Sequence, residues 1–288
     1  MSTLIKNLQG LLVYIAVAYT IAYLMDIPVI LKIVEMKYVP LILAARMYAP
    51  FLAVITVIVL TRKPILRELK ELGIRLSTKN LKYFFIGAGV PYAVYALGTL
   101  YAYLLGFRVV NPIAELPLAK MFGPITVLIT TLVGTYVAAI TINTAFALGE
   151  EIGWRGYLYI LLRPKFGTTL SSIIIGTIWA LWHAPLILFL GYNYPHHRDI
   201  VGLGMFILIC SVWSYIMLYL REVSGSVLPA ATMHGAINAL AGLMKLTVDI
   251  EDELYSMPVG MLSLLASLTV AIIVATIPRT KVLTSSSK

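Results

Sequence analysis

Residues 124–149, PITVLITTLVGTYVAAITINTAFALG, run for 26 positions without a charged side chain, and stretches of this kind decide which solvent the chain can fold in. A helix needs roughly 20 mainly apolar residues to cross a bilayer's hydrocarbon core. Candidate spans of that length fall at about 11–31, 40–60, 83–106, 124–149, 170–190, 200–220, 227–247 and 259–277. Spans of a β-barrel would be shorter and would alternate polar with apolar residues, which these uninterrupted Leu/Ile/Val/Ala runs do not. The fold class expected is all-α: a polytopic membrane helical bundle of about eight transmembrane helices, built as a single membrane-embedded domain over 1–288. With 60% hydrophobic and 12% charged residues and a mean hydropathy of +0.91, a soluble globular protein is excluded.

The loops indicate an orientation, because Lys and Arg are retained on the cytoplasmic side. With the N-terminus inside, 15 Lys and Arg residues fall in the inner segments and 5 in the outer ones (Lys32, Lys37, Arg108, Lys120 and Arg198). Both termini are therefore expected in the cytosol. The net charge of +9 reads as this topology signal, with no module to make it a nucleic-acid surface. The first apolar segment reads as a span and not as a removed signal peptide. The single cysteine, Cys210, excludes a disulfide framework and reads as a packing group. The stretch RKPILRELKELGIRLSTKN spaces Ile65, Leu66, Leu69, Leu72 and Leu76 as a helix lying on the inner leaflet would, or as a plain cytosolic connector.

Ionisable groups inside spans are functional candidates unless they can reach the interface. Arg46 and Lys245 lie near outer span ends and read as snorkelling anchors. The segment ALGEEIGWRGYL differs: on a helix Glu151 and Arg155 are i,i+4 partners, while Glu150 faces about 100° away and is left free as a base. His183 sits well inside its span, and His234 and Asn238 share one face of another. Asn143 lies on nearly the Glu150 face, available to the same cavity or to a bond between helices. His196 and His197, beside Tyr192 and Tyr194 in GYNYPHHRD, read as solvated groups in an interfacial aromatic belt.

Peptide hydrolysis needs an activated water, donors for the oxyanion and a proton for the leaving amine. Glu150 and His183 can serve the first need, and His234 with Asn238 the second. Ser226 is a poor nucleophile candidate, HExxH is absent, and no intramembrane aspartate pair is available. A Glu/His/His set also suits zinc with a water, so the residues alone fit chemistry with or without metal. A depth mismatch stands out: Glu150 falls near the inner end of its expected span, but His183 lies about 20 Å from the inner end of its own. Either the Glu150 helix continues inward, or the site is tilted.

EEIGWR resembles the EExxxR motif of the CAAX protease and bacteriocin-processing superfamily, WALWH its FxxxH motif with Trp179 in place of Phe, and HGAIN its HxxxN motif. The three occur in the family's order over roughly 124–247. The resemblance implies a helical bundle and, for the type II CAAX prenyl endopeptidases, removal of the last three residues after a prenylated cysteine. Carried over, Glu150 and His183 are the water-activating pair, His234 and Asn238 the oxyanion hole, and Glu151 and Arg155 supports. It implies no cofactor, a lipidated protein or peptide C-terminus as partner, membrane lipids as surroundings and cytosolic access. A cell-membrane location follows if the source is prokaryotic, as the compact chain indicates. Two other readings are a non-catalytic scaffold of the same superfamily and a proton-coupled transporter, the latter disfavoured because no second half repeats the first.

Overall fold

The computed structural model describes residues 8–75 and 77–278, with Lys79 described by its backbone alone. The basic residues Lys6, Arg279, Lys281 and Lys288, and Leu76 of the amphipathic stretch, lie outside the described residues.

The described residues are mostly helical. In order come α1 (Leu8–Ile30), a 3₁₀ turn (Met36–Tyr38), α2 (Val39–Arg46), α3 (Ala49–Leu60), α4 (Ile65–Glu71), α5 (Thr78–Leu104), α6 (Pro117–Phe122) and α7 (Pro124–Ala138). A π-helical turn (Ala139–Asn143) then leads to α8 (Thr144–Glu151) and a second π-helical segment (Ile152–Leu158). After these follow α9 (Tyr159–Trp182), α10 (Ala184–Leu190), α11 (Ile200–Ser224), α12 (Leu228–Thr247) and α13 (Met261–Thr276). No strand occurs among the described residues, whose one β contact is the isolated bridge Val109 to Val248. Local chemistry sets the ends. Proline opens α2, α3, α6, α7, α10 and α12, where its fixed φ and missing N–H cost nothing. Asp199 caps α11 by accepting from Val201 N at 2.9 Å and Gly202 N at 3.2 Å. Left-handed Gly191 and Gly225 close α10 and α11.

All eight expected spans are helical. Among the described residues, five stretches are long and apolar enough to cross a membrane: Leu8–Ile30, Met36–Leu60, Asn80–Leu104, Pro124–Trp182 and Ile200–Ser224. The outer surface agrees. Ile125, Ile129, Val133 and Val137 form an i,i+4 stripe on α7 that is 53–71% exposed, a patch suited to lipid rather than water. This makes the chain a multi-pass membrane protein.

The longest stretch is bent. Gly167 takes φ +64° and ψ −176°, a conformation open to glycine alone, and folds the run into two arms. Arg155 and Trp179 each stand twelve residues from it along the sequence, and the Arg155 guanidinium carbon lies 4.4 Å from the Trp179 ring centre. Glu150 and His183, 17 and 16 residues from the same bend, therefore come to similar depth. The depth mismatch is resolved by the first alternative: the Glu150 helix continues well inward of residue 149.

α12 closes over these arms through small residues. A Cβ on Gly235 would meet Ala139 O and Thr144 N at 2.8 Å each, so glycine at that position lets α12 seat against the first π turn and α8. Gly235→Ala should lower stability in detergent by about 1–3 kcal/mol, the usual cost of overpacking. Gly89→Ala, whose Cβ would meet nothing within 4 Å, should not. Equal melting temperatures for the two variants would contradict this packing.

The connecting segments bear on several expectations. The amphipathic stretch makes only the seven-residue α4, ended by Gly73 at φ +92° beneath the Arg221 guanidinium; Leu72 is buried in the bundle while Leu66 points out. Ser226 donates to Arg75 O at 2.6 Å and ties two loops together. His196 and His197 are paired with Glu253 at 2.8 Å and Asp252 at 3.1 Å; His196 is exposed, as a solvated group should be, and the pairs also tie the two loops together. Tyr194 is fully buried and donates to Val259 O at 2.6 Å, which removes it from any interfacial belt. Cys210 is buried, as a packing group should be.

Candidate active site

A cavity of about 340 Å³ is lined by Glu150, His183, His234, Asn238, Asn143, Arg46 and Tyr192 among others. The four residues singled out from the motifs thus meet around one space, and Asn143 joins them. The two π-helical segments flank α8, and their wider turns set where Glu150 and Glu151 point; such segments recur at functional sites.

Glu150 is buried, and its Oε2 accepts two indole N–H groups, from Trp179 at 2.7 Å and Trp154 at 3.2 Å. Its Oε1 has no hydrogen-bond partner among the described residues. One oxygen is thereby fixed and the other is left to the cavity. Trp179 thereby makes a hydrogen bond that phenylalanine at its motif position could not. Charge-assisted hydrogen bonds contribute roughly 1.5–3 kcal/mol, and the Trp154 donor remains in Trp179→Phe. Whatever reaction Glu150 serves, we expect that variant to lose about tenfold in its rate, at the low end of that range, with little change in melting temperature. Unchanged turnover would show that Trp154 alone holds the carboxylate.

Glu151 faces away from Glu150 and is fully buried. Its Oε1 accepts from Arg155 Nη1 at 2.7 Å and lies 2.9 Å from His234 Nδ1. Arg155 also donates from Nη2 to Ser214 Oγ at 2.8 Å. The i,i+4 pairing read from the sequence is present, and it reaches further, to the histidine on α12. Because the Arg155-paired carboxylate accepts, the proton on neutral His234 is assigned to Nδ1, and Nε2 offers a lone pair. The same reasoning holds for His183, whose Nδ1 lies 3.0 Å from the Trp179 carbonyl. Two neutral histidines would thus present acceptors, and His234 becomes a donor to an anion only as an imidazolium, for which Glu151 is the counterion.

Arg46 is the largest departure from expectation. It does not snorkel: it is 2% exposed and held by Asp26, with Nε at 2.6 Å from Oδ1 and Nη2 at 3.0 Å from Oδ2. Nη2 also donates to the Trp182 carbonyl at 2.6 Å, and the guanidinium lies 3.5 Å over the Trp182 ring. Asp26 lies within an apolar span and was not singled out; an acidic residue at that depth was the available signal. Lys245 is exposed, as an anchor would be. Pro40 and Tyr192, which line the cavity, belong to segments that the charge count puts outside, so the cavity reaches closer to that face than cytosolic access implies. Among the described residues no three His, Cys, Asp or Glu side chains converge as a metal set.

Residues 132–240 match the family described as Type II CAAX prenyl endopeptidase Rce1-like. Over 104 residues the chain is 33% identical to CAAX prenyl protease 2 of Methanococcus maripaludis, an alignment covering 35% of this chain and 38% of that protein. The chain thus aligns with well under half of this curated relative's length. The matched region contains Glu150, Glu151, Arg155, His183, His234 and Asn238, whereas Asp26 and Arg46 lie outside it.

Proposed function

We propose, on the premise that residues 132–240 are an Rce1-like domain of the CAAX protease and bacteriocin-processing superfamily, that this chain is an intramembrane endopeptidase. Its substrate in this reading is the C-terminus of a lipidated protein, cut after a prenylated cysteine to release a tripeptide. The observation that carries it is the free Oε1 of Glu150, facing a cavity shared with two histidines and an asparagine. Oε1 takes a proton from a water, whose oxygen attacks the scissile carbonyl carbon. The oxyanion is met by the Asn238 amide and by His234 as an imidazolium balanced by Glu151. Glu150 then passes its proton to the departing amine as the C–N bond breaks, and His183 accepts the proton of the new carboxylic acid through Nε2. No step calls for a metal.

Purified wild type is expected to cleave a fluorogenic farnesylated peptide ending in a CAAX sequence, and to do so equally with and without a chelator. Loss on chelation restored by zinc would make the set a metal site, and no cleavage by folded protein would remove the substrate assignment and leave a non-catalytic scaffold as the better reading. Both termini are proposed to face the cytosol, supported by the loop charges; protease accessibility of terminal tags in sealed vesicles of known sidedness tests this and decides from which face the cavity is reached.

A further inference from the structure

Arg46 is a buried cation at the cavity wall, and the mechanism above leaves it unused. Asp26 occupies its Nε and Nη2 edge, and the Trp182 carbonyl takes a further Nη2 proton. Nη1 has no partner among the described residues. Burying a guanidinium is costly even when it is paired, and an all-apolar wall would hold α2 as well. The Asp26 contacts fix the group, and with both Nη2 protons taken by Asp26 and the Trp182 carbonyl the Nη1 N–H donors are what it presents to the cavity, a positioned charged donor for a carboxylate oxygen. It also lies beside the motif residues: the carbonyl it bonds belongs to Trp182, the neighbour of His183.

We propose that Arg46, positioned by Asp26, binds the free α-carboxylate at the C-terminus of the substrate. This rests on the peptidase reading and adds to it the group that measures where the chain ends. A released tripeptide spans about 10 Å when extended, so a carboxylate bound at a fixed place in the cavity would set which peptide bond meets Glu150. Neither histidine is available for this work: the mechanism commits the His234 imidazolium to the oxyanion, and neutral His183 presents a lone pair to the cavity. The residue comes from helices outside the region matched by the family, so the recognition would be a property of this chain's N-terminal helices.

The test compares two farnesylated peptides that differ only at the C-terminus, one a free acid and one the carboxamide. Cleavage is measured with native peptides, and binding with versions whose scissile amide is reduced to an amine. Wild type should prefer the acid by roughly 30-fold or more in affinity, mostly in KM and little in kcat, the scale of a lost charge-assisted bond. Arg46→Gln combined with Asp26→Asn removes both charges together and should bind acid and amide alike. Equal binding of the two peptides by wild type would overturn the proposal whether or not the peptides are cut, and this comparison needs no variant to fold. An acid preference that survives in a folded double variant would also overturn it, because another cation would then be responsible. A double variant that loses kcat equally on both peptides while keeping the preference would assign Arg46 to the oxyanion instead. Acid-selective binding without cleavage would uphold the carboxylate site while removing the peptidase reading.

Discussion

Glu150→Gln should retain the fold and lose cleavage by about 10²-fold or more, the scale on which general bases contribute. The substitution is nearly isosteric, and the glutamine carbonyl can still accept the indole N–H bonds that Trp179 and Trp154 now give to Oε2 at 2.7 and 3.2 Å. What changes is the other atom. In place of the free Oε1 the cavity would meet an amide NH₂, which donates and takes no proton from water. The melting temperature in detergent should therefore move little, while turnover of the farnesylated peptide falls. A variant that melts like wild type and still cleaves within a fewfold would take the base away from Glu150. His183 would be the next candidate, because its Nε2 is the other acceptor at the cavity that Glu151 does not orient.

How much of this was legible in the sequence follows from what each signal depends on. The spans could be read because hydrophobicity needs no register, and the EExxxR, FxxxH and HxxxN spacings because each falls within five or six consecutive residues. Arg155 pairing with Glu151 followed from i,i+4 geometry alone. What escaped depended on contacts between distant segments or on small backbone departures. The bend at Gly167 is one residue with an unusual φ, and without it residue 149 looked like an inner end. The π-helical segments around α8 leave no compositional mark. Arg46 looked like an anchor because its partner lies 20 positions earlier on another helix, and interfacial position is a fair rule only for a cation without a buried counterion. Trp179 was read for its ring, whereas its N–H is what reaches Glu150.

Arg155→Ala should be the most destabilising single change at the site. Its guanidinium is fully buried; it neutralises Glu151 at 2.7 Å, donates to Ser214 at 2.8 Å and lies over the Trp179 face at 4.4 Å. Removing it leaves a carboxylate in a low-dielectric interior with only His234 beside it, and breaking such a pair costs about 3–5 kcal/mol. Glu151 already carries one buried oxygen, Oε2, without a hydrogen-bond partner, so little remains to absorb the loss. The companion variant removes both charges: Arg155→Met with Glu151→Gln keeps the volume and takes away the unpaired ion. It should recover much of the stability, since replacing a buried pair by groups of similar shape is often neutral. Its activity should stay low. The glutamine carbonyl can still accept the His234 Nδ1–H, but it cannot balance an imidazolium, and a neutral His234 offers the oxyanion a lone pair instead of a proton. Measured together by thermal unfolding and peptide cleavage, the two variants separate the roles: recovered stability without recovered turnover assigns the Glu151 charge to catalysis, and recovery of both would reduce the Arg155–Glu151 pair to a structural clamp.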